Sequence, residues 1–127
     1  MTDGIEAVTR SALALGLDAA SLRQQAIAAN IANANAAGYV PQRVSFEAQL
    51  GEARRSLAQT GRLDAYALSQ VRPRIESLVA GPGAPASVQL DVEAAEMARN
   101  NVHYQALVKG LSRHFAILSM AVGDGRK

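Results

Sequence analysis

The sequence predicts a mainly α-helical protein whose long N- and C-terminal helices pack as an antiparallel coiled coil, with a small irregular middle segment containing a short helix and extended pieces. Three observations predict it. All four prolines (Pro41, Pro73, Pro82 and Pro85) fall in the middle of the 127-residue chain, which leaves both ends free of the residue that most disrupts a helix. Each end carries apolar residues at alternating steps of three and four, the spacing of a seam between helices. The length allows one domain, so two rods at opposite ends of a short chain are expected to pack on each other. The expected division is residues 1–38 plus 90–123 for the coiled coil and 39–89 for the middle.

The first helix is expected over residues 5–36. Asp3 as N-cap with Glu6 three residues on has the pattern of a capping box. The seam reads Ile5, Val8, Ala12, Leu15, Ala19, Leu22, Ala26, Ala29. Gly16 and Asp18 weaken the helix locally, Gly by about 1 kcal/mol relative to Ala, but the seam keeps phase across them. The helix ends in the stretch NIANANAAGY, Asn30 to Tyr39. There Asn30, Asn33 and Asn35 enter an otherwise apolar pattern, and Gly38 and Pro41 stop it. Asn is a weak helix former because its side chain competes for backbone hydrogen bonds. One reading is therefore a fraying helix end. The other is that these carboxamides are placed to meet a second chain.

In the middle, Phe46, Leu50, Ala53 and Leu57 have helical spacing. They predict a short helix over 46–59, with Ser45 as its cap and Thr60-Gly61 as its end. The alternation Val44, Phe46, Ala48, Leu50 also fits a strand. Residues 71–75 and 78–79 read as extended or loop-like, and GPGAPAS, residues 81–87, is a breaker-rich connector.

The second long helix has the seam Leu90, Ala94, Met97, Asn101, Tyr104, Val108, Leu111, Phe115, Leu118, Val122. Asp91 is a candidate N-cap, Glu93 and Glu96 suit the first turns, and Gly123-Asp124-Gly125 ends it. Thirty-odd residues make a rod of about 50 Å. Asn101, the polar member of the seam, is the kind of residue that fixes register at a cost in stability. Ile27, Ile31, Ala98, Val102, Ile117 and Ala121 widen the two stripes beyond what one partner covers, so part of the excess is expected to seek other chains.

Composition narrows the chemistry. The hydrophobic fraction is 49%, but aromatics supply only 4% and much of the rest is alanine, which buries little area per residue. There is no Cys, hence no disulfide, thiolate metal site or cysteine nucleophile. A net charge of +2 is too mild to argue for nucleic acid, and Arg54-Arg55 and Arg72/Arg74, without interleaved aromatics, read as solvated faces. His103 and His114 are separated by about 16 Å of helix rise, too far to share a metal, and read as surface or interface residues. Hydrolase, zinc-protease and phosphate-loop motifs are missing, so no catalytic site, cofactor or small-molecule substrate is expected. Thr2, Asp3 and Gly4 do not open a basic and then apolar leader, and no cleaved secretory signal is expected.

Two segments resemble a known family. LRQQAIAANIANANAAGY, Leu22 to Tyr39, resembles the N-terminal signature of bacterial flagellar rod and hook proteins, whose usual form is close to A-x-N-I-A-N-x-x-T-P-G-Y. VQLDVEAAEMARNNVHYQALVKGLSRHFAIL, Val88 to Leu118, looks like the C-terminal segment of the proximal rod proteins of the FlgB type. The chain departs from the pattern at Asn35-Ala36-Ala37, where Asp-Thr-Pro is usual, and at Val40-Pro41, where Lys-Ala is common.

The resemblance implies a structural subunit of the flagellar basal-body rod. Such a subunit is exported by the flagellar type III apparatus without a cleaved signal, and its terminal helices assemble into the axial tube that transmits torque across the periplasm. The implied partners are other copies of the chain, other rod proteins, the rod–membrane-ring adaptor protein and the export gate. Leu22, Asn30, Ile31, Asn33, Gly38, Tyr39, Met97, Asn101, Tyr104, Leu111, Phe115 and Leu118 are the expected assembly contacts. Ala-rich seams stabilise an isolated helix pair weakly, so the terminal helices are expected to be partly disordered in the monomer and to order on assembly. The alternative is a cytoplasmic helical-hairpin adaptor or export chaperone.

Overall fold

The structure, a computed structural model, describes residues 2–78 and 87–125. Two long helices dominate it: α1, Thr2–Ala32, and α4, Leu90–Asp124. Between them lie β1 (Gln42–Ser45), α2 (Glu47–Thr60), α3 (Ala65–Ser69) and β2 (Arg74–Ser77). Helix α1 is the hub, with α4, the two strands and α3 all packed on it.

The long helices run antiparallel. Asn30 meets Glu93, Ala20 and Gln24 meet Asn100, and a Cβ on Gly16 would lie 3.2 Å from Leu107 Cδ1. Residue numbers fall along one helix as they rise along the other. Gly16, which costs α1 helix propensity, thus lets Leu107 approach closely, where a Cβ would press on its side chain. The buried apolar residues are Ala19, Ala20, Ala26, Ile27, Ala53, Leu68 and Val71. With alanine so prominent among them, burial gives this core little free energy per residue.

The strands pair antiparallel, Gln42 opposite Ser77 and Val44 opposite Ile75, with α2 and α3 looped out between them. The Leu78 N–H donates to the Pro41 carbonyl at 2.8 Å and prolongs the ladder. Asp64 caps α3, its Oδ1 accepting from Tyr66 N at 3.0 Å.

Several element ends differ from the sequence expectation. Helix α1 stops at Ala32 rather than at 36: the Ala29 carbonyl accepts from both the backbone N–H of Asn33 at 3.1 Å and its Nδ2 at 2.8 Å, and the next bonds, Ala34 N to Ile31 O and Ala36 N to Asn33 O, reach back only three residues, so the chain turns. The last of these turns closes with Tyr39 N donating to Ala36 O at 3.2 Å. It needs Gly38 at φ +75°, the third position of a type II turn. Ser45 does not cap α2; it ends β1, and Phe46 holds the cap position without a side-chain bond. Gly61, at φ 66°, closes α2 in the left-handed conformation, its N–H donating to Leu57 O. Asp91 does not cap α4 either. Gln89 precedes the helix in extended conformation, and Asp91 sits inside the first turn. The helix already includes Thr2, ahead of Asp3, whose side chain lies outside the described ones, as do residues 79–86 of the connector.

The largest difference is the phase of the α4 seam. Glu93 and Asn100 are buried against α1, and Met97, Leu107, Leu111, His114 and Leu118 are half-buried. Leu90, Ala94, Asn101, Tyr104, Val108, Phe115 and Val122, expected in the seam, are exposed. Helix α4 is therefore rotated so that a more polar heptad faces α1.

Candidate assembly surface

Asn30 anchors the one extensive polar cluster described in the fold. Its Oδ1 accepts from the Gln42 backbone N–H at 2.8 Å and from the Tyr39 hydroxyl at 3.0 Å. Its Nδ2 donates to the Gln42 carbonyl at 3.0 Å and to Glu93 Oε2 at 3.2 Å. All four hydrogen-bonding sites of the carboxamide are filled. Toward Gln42 the side chain acts as a neighbouring strand would, meeting both the donor and the acceptor of one residue on the hairpin edge. The type II turn at Gly38 makes this possible by returning the chain to the helix it has just left.

Glu93 is 1% exposed, and a buried carboxylate is costly unless paired. Arg43 Nη2 donates to Glu93 Oε1 at 2.6 Å, while Arg43 Nη1 donates to the Gln42 carbonyl at 2.9 Å. The clasp of Asn30, Tyr39, Gln42, Arg43 and Glu93 ties α1, β1 and the start of α4 into one unit. Beside it lies a hollow of about 170 Å³ lined by Ala26, Ile27, Val44 and Glu96. Arg23 on its wall stacks 5.3 Å from the centroid of the Phe46 ring.

Two turns along α4, Asn100 Nδ2 donates to the Ala20 carbonyl at 2.9 Å and to Gln24 Oε1 at 3.2 Å. The seam asparagine is thus Asn100, not Asn101, which is exposed. Farther on, His114 is half-buried, and its Nε2 is buried without a hydrogen-bond partner among the described residues. His103 is exposed.

On its outward sides α4 is apolar for most of its length. Val108, Phe115 and Val122 follow one another at heptad steps, and Leu90 and Tyr104, two heptads apart, hold a neighbouring position, with Phe115 49% exposed and Val122 69% exposed. Val102, Ile117 and Met120 lie exposed around the helix from them. A soluble lone helix hairpin would place charged residues there. Exposed apolar residues spaced in this way form a candidate contact surface.

The expected assembly contacts divide three ways. Asn30, which was expected to face a second chain, is fully engaged inside its own chain, and the half-buried Tyr39 donates to it. Met97, Leu111 and Leu118 belong to the internal seam, while Leu22 and Ile31 are half-buried on α1. Asn33, Gly38, Asn101, Tyr104 and Phe115 are exposed, and Asn33 is bonded to its own helix. The fraying reading of the asparagines describes Asn33 but not Asn30. Sequence reasoning missed Glu93, Arg43, Gln42 and Asn100. The available signal was that Glu93, Asn100, Leu107 and His114 repeat every seven residues in a second phase.

Among the described residues no cluster of His, Asp and Glu is placed to hold a metal ion, and no helix is long and apolar enough to cross a membrane. No family model matches the chain, and no curated protein is significantly similar to it.

Proposed function

We propose that the chain is a structural subunit of the bacterial flagellar basal-body rod, in its proximal part, and that it carries no catalytic activity. The observation that carries this reading is the outward apolar face of α4 through Tyr104, Val108, Phe115 and Val122. It is joined by the two terminal segments that resemble the axial proteins. A rod subunit needs such a face, because it contacts several neighbours in a head-to-tail array that does not close on itself. The antiparallel helix pair supplies a stiff carrier for the face, and the clasp holds the middle segment to one end of that carrier.

In this reading the neighbours are other copies of the chain, other rod proteins, the ring adaptor and the export gate, and the chain reaches the periplasm through the flagellar export apparatus. The test is the location of a tagged chain together with two variants. The tagged chain is expected in purified basal bodies. Recovery of the whole pool as soluble cytoplasmic protein would overturn the reading and favour the adaptor or chaperone alternative. Phe115→Asp is expected to leave the monomer folded and abolish swimming, since its side chain touches solvent in the monomer and a neighbour in the rod. Leu111→Asp is expected to abolish swimming by a different route, by weakening the α1–α4 pair itself. Normal motility in Phe115→Asp would mean the face is free in the working molecule.

A further inference from the structure

We infer that the buried polar groups of the α1–α4 seam select one register among several that the apolar residues alone would tolerate. Both helices repeat every seven residues where they face each other. Gly16, Arg23 and Asn30 on α1 correspond to Leu107, Asn100 and Glu93 on α4, with residue numbers opposed, and one more heptad step on each helix leads to Thr9 and His114. The direct contacts are the Asn30–Glu93 hydrogen bond, the approach of Leu107 to Gly16, and the bonds from Asn100 to the carbonyl of Ala20 and the amide of Gln24, which flank Arg23.

The packing between these layers comes from small residues. Apart from Leu107 seated on Gly16 and Leu13 on Gly110, the buried residues there are the small Ala20 and Ala26, and interlocking side-chain shape, the usual source of uniqueness in a core, is limited to those two contacts. A slide of α4 by one heptad, about 10 Å, again places heptad residues opposite heptad residues.

The polar groups remove that degeneracy. Only in the observed register does Glu93 reach both Asn30 and Arg43. Moved one heptad along α1, it lies level with Arg23 and loses both, and moved the other way it passes the end of α1. Asn100 likewise loses the Gln24 amide. A carboxylate that leaves Asn30 and Arg43 for Arg23 at most in one shifted state, and for nothing on α1 in the other, leaves the observed register the best satisfied, so the pins discriminate against wrong registers more than they add to the right one. The outward face of α4 is thereby held at one height relative to the hairpin. This holds whether or not the chain is a rod subunit.

The absence of native cysteine allows a direct test by disulfide trapping on the full chain at low concentration. Leu107→Cys is paired in turn with Gly16→Cys for the observed register, and with Thr9→Cys or Arg23→Cys for the two shifted ones. With the pins intact, only the Gly16 pair is expected to cross-link. With Asn30→Leu, Glu93→Leu and Asn100→Leu combined, the shifted pairs are expected to appear and the Gly16 product to fall from sole product to one of a mixture. Arg43 is part-exposed and turns to solvent in that variant. Asn100→Leu alone is expected to keep the single native product, because the clasp remains. The inference is overturned if the triple variant still yields the Gly16 product alone. It is equally overturned if that variant loses its helical circular dichroism, since the pins would then hold the fold rather than choose the register. Mixed products in Asn100→Leu alone would overturn the part given to the clasp.

Discussion

Asn30 offers the sharpest stability prediction. Its replacement by Ala removes four hydrogen bonds, but the loss is not four times one bond. The Gln42 carbonyl keeps the Arg43 guanidinium at 2.9 Å, and the half-buried Tyr39 hydroxyl can turn to water. Two groups lose their partner inside the fold: the Gln42 N–H and Glu93 Oε2. Glu93 is buried and Gln42 half-buried, so a full penalty applies to the first and part of one to the second; at about 1–3 kcal/mol for a buried group left unsatisfied, Asn30→Ala is expected to destabilise by about 1–4 kcal/mol. Against a typical total of about 5–15 kcal/mol, that is a large fraction of the stability of a domain with an alanine-rich core.

Asn30→Asp keeps the shape but removes both donors and sets a second carboxylate near Glu93, adding repulsion of about 4 kcal/mol at an effective dielectric constant of about 20. The two variants should therefore differ in pH dependence. The carboxyl introduced at position 30 holds its proton to higher pH in the native state than in the unfolded one. The native state of that variant then binds more protons, and its stability rises as pH falls through the carboxylate range. Asn30→Ala adds no titrating group of its own, so its pH dependence is expected to be the weaker of the two. Urea denaturation followed by circular dichroism, at neutral pH and near pH 4, reads both effects. An Asn30→Ala midpoint within about 1 kcal/mol of the parent, below the cost of even one orphaned group, would refute the clasp as a stabilising unit, and parallel pH profiles for the two variants would refute its electrostatics.

Two further outcomes follow from the packing. Gly16→Val drives a branched side chain into Leu107, 3.2 Å from where even a Cβ would sit, and is expected to cost about 1–3 kcal/mol in thermal or urea melts; a neutral result would mean that the helices separate there freely. Hydrogen exchange is expected to be graded along both rods. The buried residues of the pair, from Ala19 to Asn30 and at Glu93 and Asn100, lie toward the clasp, whereas described residues 4–18 and 101–125 include none that is buried. Amides at the far ends should exchange fastest in the free chain, and uniform protection would contradict partial ordering of the monomer.

The helix–irregular–helix division was legible because proline placement and heptad spacing are local and strong signals. The phase of the α4 seam was not. The apolar pattern points to Leu90, Val108 and Phe115, but which side a helix turns to its neighbour depends on what the neighbour offers. Here α1 and β1 offer a guanidinium, a carboxamide and a backbone carbonyl, which Glu93 and Asn100 satisfy. Similarly, β1 pairs with β2 across two intervening helices without a hairpin turn to announce it, so Ser45, which ends a strand, could be read as the cap of the following helix. Asn30 was singled out for the right property, its four hydrogen-bonding sites, but assigned to the wrong partner. Nothing in a single sequence shows that the turn at Gly38 brings Gln42 back to it.

The choice of face carries a physical argument of its own. A chain under selection only to be stable alone would turn the stripe of Leu90, Tyr104, Val108, Phe115 and Val122 inward, since each buried aliphatic or aromatic side chain is worth about 1.5–3 kcal/mol. This chain instead turns Glu93 and Asn100 inward, where desolvation cancels much of what their bonds return. The arrangement gives up monomer stability and leaves two things: polar contacts that fit one register along α1, and an uncharged stripe exposed to solvent. The two depend on each other, because an outward stripe is useful for assembly only if every copy presents it at the same height. Polar residues inside and apolar residues outside are thus coupled features of α4, and a variant that exchanged them by rotating the helix should be more stable as a monomer and less able to assemble.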